Sequence, residues 1–193
     1  VQDPGDPCFS HLPRWNTTAQ CKLFWADDFR SQLNGSAIER FRASLPQDMR
    51  QWHAFNRGEY LEARTLLPSY LLSSQGDRML MASSIEGRFP FLDHRLIDFA
   101  KRLHPRFKMR VLREKYLLKQ AMAGRLPDSI LNRHKQPYRA PDAAAFLGPQ
   151  APDYVNELMG RDALAGYGYF DPERVGRLLG KLRRANVLSA RDN

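Results

Sequence analysis

Apolar residues along this 193-residue chain recur at helical spacing, and no run alternates convincingly at a period of two. Ile38, Phe41 and Leu45 share one face behind Ser36-Ala-Ile-Glu39. That tetrad is a capping box, in which a hydroxyl and an acid three residues on satisfy the free amides of a helix start. Pro46 ends the run. Residues 23–33 predict a short helix stopped by Asn34-Gly35. Residues 59–72 are rich in Leu, Ala, Glu and Arg and predict a helix kinked or broken at Pro68. Residues 77–84 predict another, with Met79, Leu80 and Ala82 to pack. Gly87 and Pro90 force a loop. Asp93 then caps a helix whose Leu96, Ile97, Ala100 and Leu103 form an apolar stripe.

Further on, residues 113–123 read as a strong helix with Gly124 as its stop. Leu126-Pro127-Asp128 starts a short helix ending near Asn132, and residues 133–141 form a loop with two prolines. Asp171-Pro172-Glu173 is a cap followed by proline in the first turn. Behind it Val175, Leu178, Leu179 and Leu182 give a buried face, and Gly176 and Gly180 mark close helix packing. Residues 1–22, with Asp3-Pro4, Asp6-Pro7 and Leu12-Pro13, read as an extended, irregular lead-in. The fold class is mostly α, without internal repeats or low-complexity tracts.

Composition changes this picture little. Hydrophobic residues make up 42% of the chain, enough for a core, and the length fits one domain, or a domain with an appendage. Two cysteines, Cys8 and Cys21, allow a disulfide without demanding one, and a reduced cytoplasmic chain is the simpler reading. No stretch is apolar enough to span a bilayer, so no membrane is implied. The histidines and cysteines show no metal-ligand spacing, so no metal site is expected from the chain's own residues. The net charge of +9 is more informative. It favours anionic partners: nucleotides, pyrophosphate or nucleic acid.

Two segments concentrate the charge. In the first, Glu86, Arg88 and Asp93 surround the apolar Phe89-Pro90-Phe91-Leu92. Charges buried there would need partners. Glu86 and Arg88 are one residue apart, so each is free to reach a separate group; the alternative is that Arg88 satisfies Glu86, Asp77 or Asp93 in a buried network. Glu86 is a candidate catalytic or substrate-orienting acid, and Asp93 reads as a cap. In the second, Lys115 and Lys119 lie in a helical run. Lys135 stands with Arg133, His134 and Arg139 in a proline-bounded loop, the kind of position that carries function on a rigid scaffold. Fixed cations aimed at developing charge are among the largest catalytic terms. The run therefore suits a leaving pyrophosphate. A basic helical nucleic-acid-binding module is the competing reading, disfavoured because the basic residues are scattered and no groove-reading motif appears. A non-catalytic interaction domain also stays open.

The runs Leu72-Ser-Ser-Gln-Gly-Asp-Arg-Met, Ile85-Glu-Gly-Arg-Phe-Pro-Phe-Leu-Asp-His-Arg, Glu114-Lys-Tyr-Leu-Leu-Lys and Arg133-His-Lys-Gln-Pro-Tyr-Arg-Ala-Pro, with the terminal Leu188-Ser-Ala-Arg-Asp-Asn193, resemble the C-terminal synthetase domain of bacterial glutamine-dependent asparagine synthetases. The resemblance runs over nearly the whole chain and is strongest over residues 60–141. It implies the helical part of an adenine nucleotide α hydrolase-like (PP-loop ATP pyrophosphatase) α/β domain. It also implies ATP and Mg²⁺ as cofactors, and aspartate and glutamine-derived ammonia as substrates, with a homodimer open for the full-length protein. By motif, Lys135 resembles the lysine that stabilises the adenylation transition state and pyrophosphate, and Lys115 a second phosphate-contacting lysine. Glu86 and Arg88 match the family's Glu-x-Arg-x-Pro-Phe-Leu-Asp run beside the active site. In the related β-lactam synthetases, which make up another open reading, the similar glutamate helps a tyrosine act as base. The family's Ser-Gly-Gly-x-Asp-Ser pyrophosphate loop, its Gly-Glu-Gly-x-Asp-Glu magnesium segment and its nucleophilic cysteine are absent here. The resemblance thus implies a partial domain over residues 1–193, with most of its sheet and the main Mg²⁺ ligands elsewhere, and inactive alone.

Overall fold

The structure, a computed structural model, describes residues 3–135, 146–148 and 151–184. These residues are almost all helical or irregular, and their one sheet is a two-stranded antiparallel ribbon. The chain divides into two compact units, one of Val1–His11 with Leu45–Lys135, the other of Leu12–Ser44 with Gln136–Asn193.

In the first unit the lead-in segment docks on the helix Ala54–Arg64. Arg57 donates to the Gly5 carbonyl at 3.3 Å, and buried His11 lies 3.2 Å from Glu62 through Nε2 and 2.9 Å from the Ser10 hydroxyl through Nδ1. Cys8, Met49 and Leu61 are fully buried. Both cysteines are free thiols. After Thr65 the chain rewinds. Leu67–Asp77 is π-helical with Pro68 in its first turn, and Arg78–Ala82 continues as α-helix. Proline lacks the amide that an α-helix would use there, so the expected break takes the form of a change of winding. A Cβ on Gly76 would sit 2.7 Å from the Leu71 carbonyl oxygen five residues back, so the wider winding requires glycine.

Residues 113–123 depart from expectation. Met109–Arg110 pairs with Arg113–Glu114, and the helix is only Tyr116–Ala121. Strands of two residues leave no period for sequence reading to detect. The helix is capped at Met122, two residues before the expected stop; Gly124 lies in the turn beyond at φ +73°, and the short helix Asp128–Leu131 is where Pro127-Asp128 predicts it.

In the second unit the expected irregular lead-in is corrected. Leu12–Ala19 is a helix, followed by one turn of 3₁₀ over Gln20–Phe24. Pro13 falls in the first turn, where its missing amide costs nothing. The helix foreseen over residues 23–33 is interrupted at Trp25, which bridges to Phe170, and resumes as Asp27–Ser31. Ser36 accepts from the Glu39 amide and starts Ala37–Ala43, as the capping box predicts. The helices Asp153–Leu158, Arg161–Tyr167 and Pro172–Arg184 complete the unit, with Val155, Leu164 and Val175 buried. Arg174 fastens it. Its guanidinium donates to the Trp25 carbonyl at 2.9 Å and to Asp27 at 3.0 Å, and lies 3.3 Å from Asp171. Gly176 has open space where a Cβ would be, so it marks no close packing among the described residues.

Candidate groove and the charged motifs

Of the motif residues, Phe91, Glu114 and Lys115 line an apolar groove of the first unit. Its volume is about 1350 Å³. The helix His94–Arg102 supplies one wall through Leu96, Ile97, Phe99 and Ala100, and Leu103 extends it. Four of these five are the stripe read from the sequence. Phe55 and Tyr60 of Ala54–Arg64, Phe107 of Pro105–Lys108, and Leu117 and Leu118 of Tyr116–Ala121 supply the rest. The rim carries two ion pairs, Lys108 with Glu59 and Lys101 with Asp98, each at 2.7 Å. Lys108 is mostly buried and its ammonium lies 5.9 Å from the Phe55 ring centroid. Sequence reading passed over Phe55, Phe107, Lys108 and Glu59. Their signal, aromatics followed at short spacing by a charge, is weak in a chain with 11% aromatics.

Lys115 lines this groove, and its side chain is exposed. Its backbone is left-handed, φ +54° and ψ +34°, because the hairpin must turn directly into the helix that begins at Tyr116. That conformation costs a non-glycine residue roughly 1–2 kcal/mol. Val111, at the hairpin tip, shares the strain at φ +56°.

Of the partners left open for them, Glu86 and Arg88 take each other. Their side chains pair at 2.9 Å and are 69% and 82% exposed, so they form no buried network. Such surface pairs hold a geometry weakly. A Cβ on Gly87 between them would lie 2.4 Å from Leu80 Cδ1, the tip of a side chain that would have to turn aside. Neither charged residue lines the groove. Asp93 is the expected cap. It accepts from the Arg95 amide at 2.8 Å and from the Arg95 guanidinium at 3.1 and 2.8 Å. The Arg95 side-chain bonds hold its carboxyl below the ordinary carboxylate value, helped by the Arg95 amide.

Lys135 is exposed and does not line the groove, so the two motif lysines are not brought to one wall. The remainder of its motif, including Arg139, and the terminal run from Leu188 lie outside the described residues. Among the described residues no three of His, Cys, Asp and Glu gather as a metal-ligand set, and no helix is long and apolar enough to cross a membrane.

A family profile described as asparagine synthase matches residues 9–193. The chain is similar to the amidase chyE of Penicillium rubens, 28% identical over 155 residues, covering 76% of this chain and 23% of that protein. It is similar to asparagine synthetase [glutamine-hydrolyzing] 3 of Bacillus subtilis, 46% identical over 67 residues, covering 35% of this chain and 11% of the synthetase. It is also similar to asparagine synthetase [glutamine-hydrolyzing] 1 of the same organism, 35% identical over 86 residues, covering 45% and 13%. The matches thus span less than a quarter of the length of these relatives. No solved structure matches the chain.

Proposed function

Because the chain belongs to the asparagine synthase family, we propose that it is the helical part of a PP-loop synthetase domain that amidates a carboxylic acid at the expense of ATP. On this reading the side-chain carboxylate of aspartate attacks the α-phosphorus of ATP and pyrophosphate leaves. Ammonia released from glutamine then attacks the acyl carbon, AMP departs, and asparagine is formed. The family match over nearly the whole chain carries the proposal.

Lys135 neutralises charge on the departing pyrophosphate, and Lys115 gives a second phosphate contact. The backbone strain at Lys115 supports this. Left-handed non-glycine residues persist where the surrounding structure fixes them, and they cluster at ligand sites. Lys115 combines that strain with an exposed ammonium at the mouth of a groove. Arg88 adds a planar, bidentate cation suited to phosphate, and Glu86 is the acid that orients the acceptor. Both need only leave a weak mutual pair to do so. ATP's anionic groups fit these cations. Mg²⁺ finds no ligand set among the described residues. On this reading its ligands, the pyrophosphate loop and the glutaminase cysteine come from other parts of the protein.

Pyrophosphate release with ATP, magnesium, aspartate and ammonium tests the proposal. The product of the whole reading frame is expected to release it in proportion to aspartate, and this chain by itself to release none. Aspartate-dependent release from the isolated chain would refute the division of labour. Silence of the whole product with every carboxylic acid offered would refute the ligase reading. One observation favours a second acceptor: the amidase chyE covers 76% of this chain, more than either bacterial synthetase. Release that responds to another acid and ignores aspartate would select it.

A further inference from the structure

His53 and His104 perform the same task at two neighbouring helix starts. Each stands at the N-cap with extended backbone, ψ 137° and 138°. His53 Nδ1 accepts from the Phe55 amide at 3.1 Å, and His104 Nδ1 from the Arg106 amide at 3.2 Å. The ring centroids are 6.4 Å apart with their planes tilted by 58°, and both rings line a small pocket of about 440 Å³ that also includes Arg106. A ring that accepts at Nδ1 carries its proton at Nε2, so both bonds require neutral imidazole. Protonation turns Nδ1 into a donor facing another donor. It also places a cation at the positive end of a helix, beside a second ring and a guanidinium.

We propose that His53 and His104 are a paired, pH-responsive cap on the groove wall. With both rings neutral, both helix starts are held. Protonation of either ring releases its cap, and the charge on that ring disfavours a charge on the other. The flanking elements carry both signs, with Glu62, Asp98 and Glu114 among their acids. Their basic groups include Arg50, Arg57, Arg102, Arg106 and Lys108. Of the acids there, Asp48 is engaged by the Trp52 indole at 3.0 Å and Glu59 by Lys108 at 2.7 Å. The capped helices carry Phe55 and Glu59 on one side and Phe107 and Lys108 on the other. Losing the caps therefore loosens the groove wall where the Lys108–Glu59 bridge closes it. Histidine is the residue whose charge changes under mild acidification.

Amide exchange by NMR on the full chain tests this. Protection of the Phe55 and Arg106 amides, corrected for intrinsic exchange, is expected to fall roughly fivefold between pH 8 and pH 5, the usual worth of an N-cap. In the double variant His53→Asn/His104→Asn, whose caps do not titrate, protection is expected to be the same at both pH values. Unchanged protection in the wild type, or a loss that persists in the double variant, overturns the proposal. Imidazole ¹⁵N shifts give a reading independent of the variant's folding. Both rings are expected as Nε2–H tautomers at pH 8, and Nδ1–H in either contradicts the proposal.

Discussion

The helices His94–Arg102 and Pro172–Arg184 carry the same kind of apolar stripe, and they meet opposite fates. In the second, Val175 is buried and Leu178, Leu179 and Leu182 are half-buried within its unit. In the first, Leu96, Ile97 and Phe99 remain exposed, at 38, 41 and 55%, along the groove. Helical periodicity says which face is apolar. It does not say what that face meets. Exposed apolar surface bordered by charge marks places where other molecules bind, and here it borders Lys115. The stripe that is covered holds a unit together. The stripe that is open lines the groove that Lys115 also lines.

If that division is right, changes on the two sides separate activity from stability. The largest effect is expected at the motif lysines. Lys135→Ala or Lys115→Ala in the whole protein lowers pyrophosphate release by about 10²–10³-fold, the usual cost of removing one fixed group that meets developing charge. The melting temperature stays within a degree or two, because both side chains are exposed. A large loss of stability with little loss of rate would invert the comparison. Next comes the covered side. Leu164→Ala removes a buried side chain and is expected to cost about 2–4 kcal/mol in denaturant unfolding, whereas Leu96→Ala on the groove costs about 1 kcal/mol or less. Equal costs would mean that the groove face is buried in solution.

Smaller effects sharpen the local arguments. Val111→Gly removes a left-handed β-branched residue from an exposed tip and is expected to stabilise the chain by up to about 1 kcal/mol in the same unfolding assay. Asp171 gives a pH signature in the second unit. The Arg174 amide, first, and then the Arg174 charge hold its carboxyl below the ordinary 3.8. Its contribution is therefore complete above the unfolded value and is lost as pH falls through the lower, folded one. Asp171→Asn is expected to flatten the decline in stability below about pH 4. An unchanged acid limb would remove that role.

Much of this arrangement was legible beforehand, and the exceptions share a cause. Ser36, Asp93 and Asp171 were readable as caps because a cap is a local bond between residues two or three apart. Pro127 was readable for the same reason. The helix at Leu12–Ala19 was missed because three prolines nearby suggested an irregular path, although Pro13 occupies the one turn that tolerates it. The hairpin at 109–114 and the left-handed Lys115 were missed because two-residue strands and a single strained φ leave no pattern. The motif residues were readable as runs in the sequence, and their geometry was not. Glu86 and Arg88 pair on the surface, and Lys135 stands apart from the groove that Lys115 lines. Such distances depend on packing between segments far apart in the chain, which residue order alone does not encode.

The central claim, that Lys115 and Lys135 both serve the phosphates of ATP, is tested most directly by amine labelling of the whole protein with and without ATP. Mass spectrometry then reads each lysine. Protection of both by ATP, with exposed Lys22 and Lys181 labelled equally in the two conditions, is the predicted result. Equal labelling of Lys115 and Lys135 with saturating ATP present would contradict it.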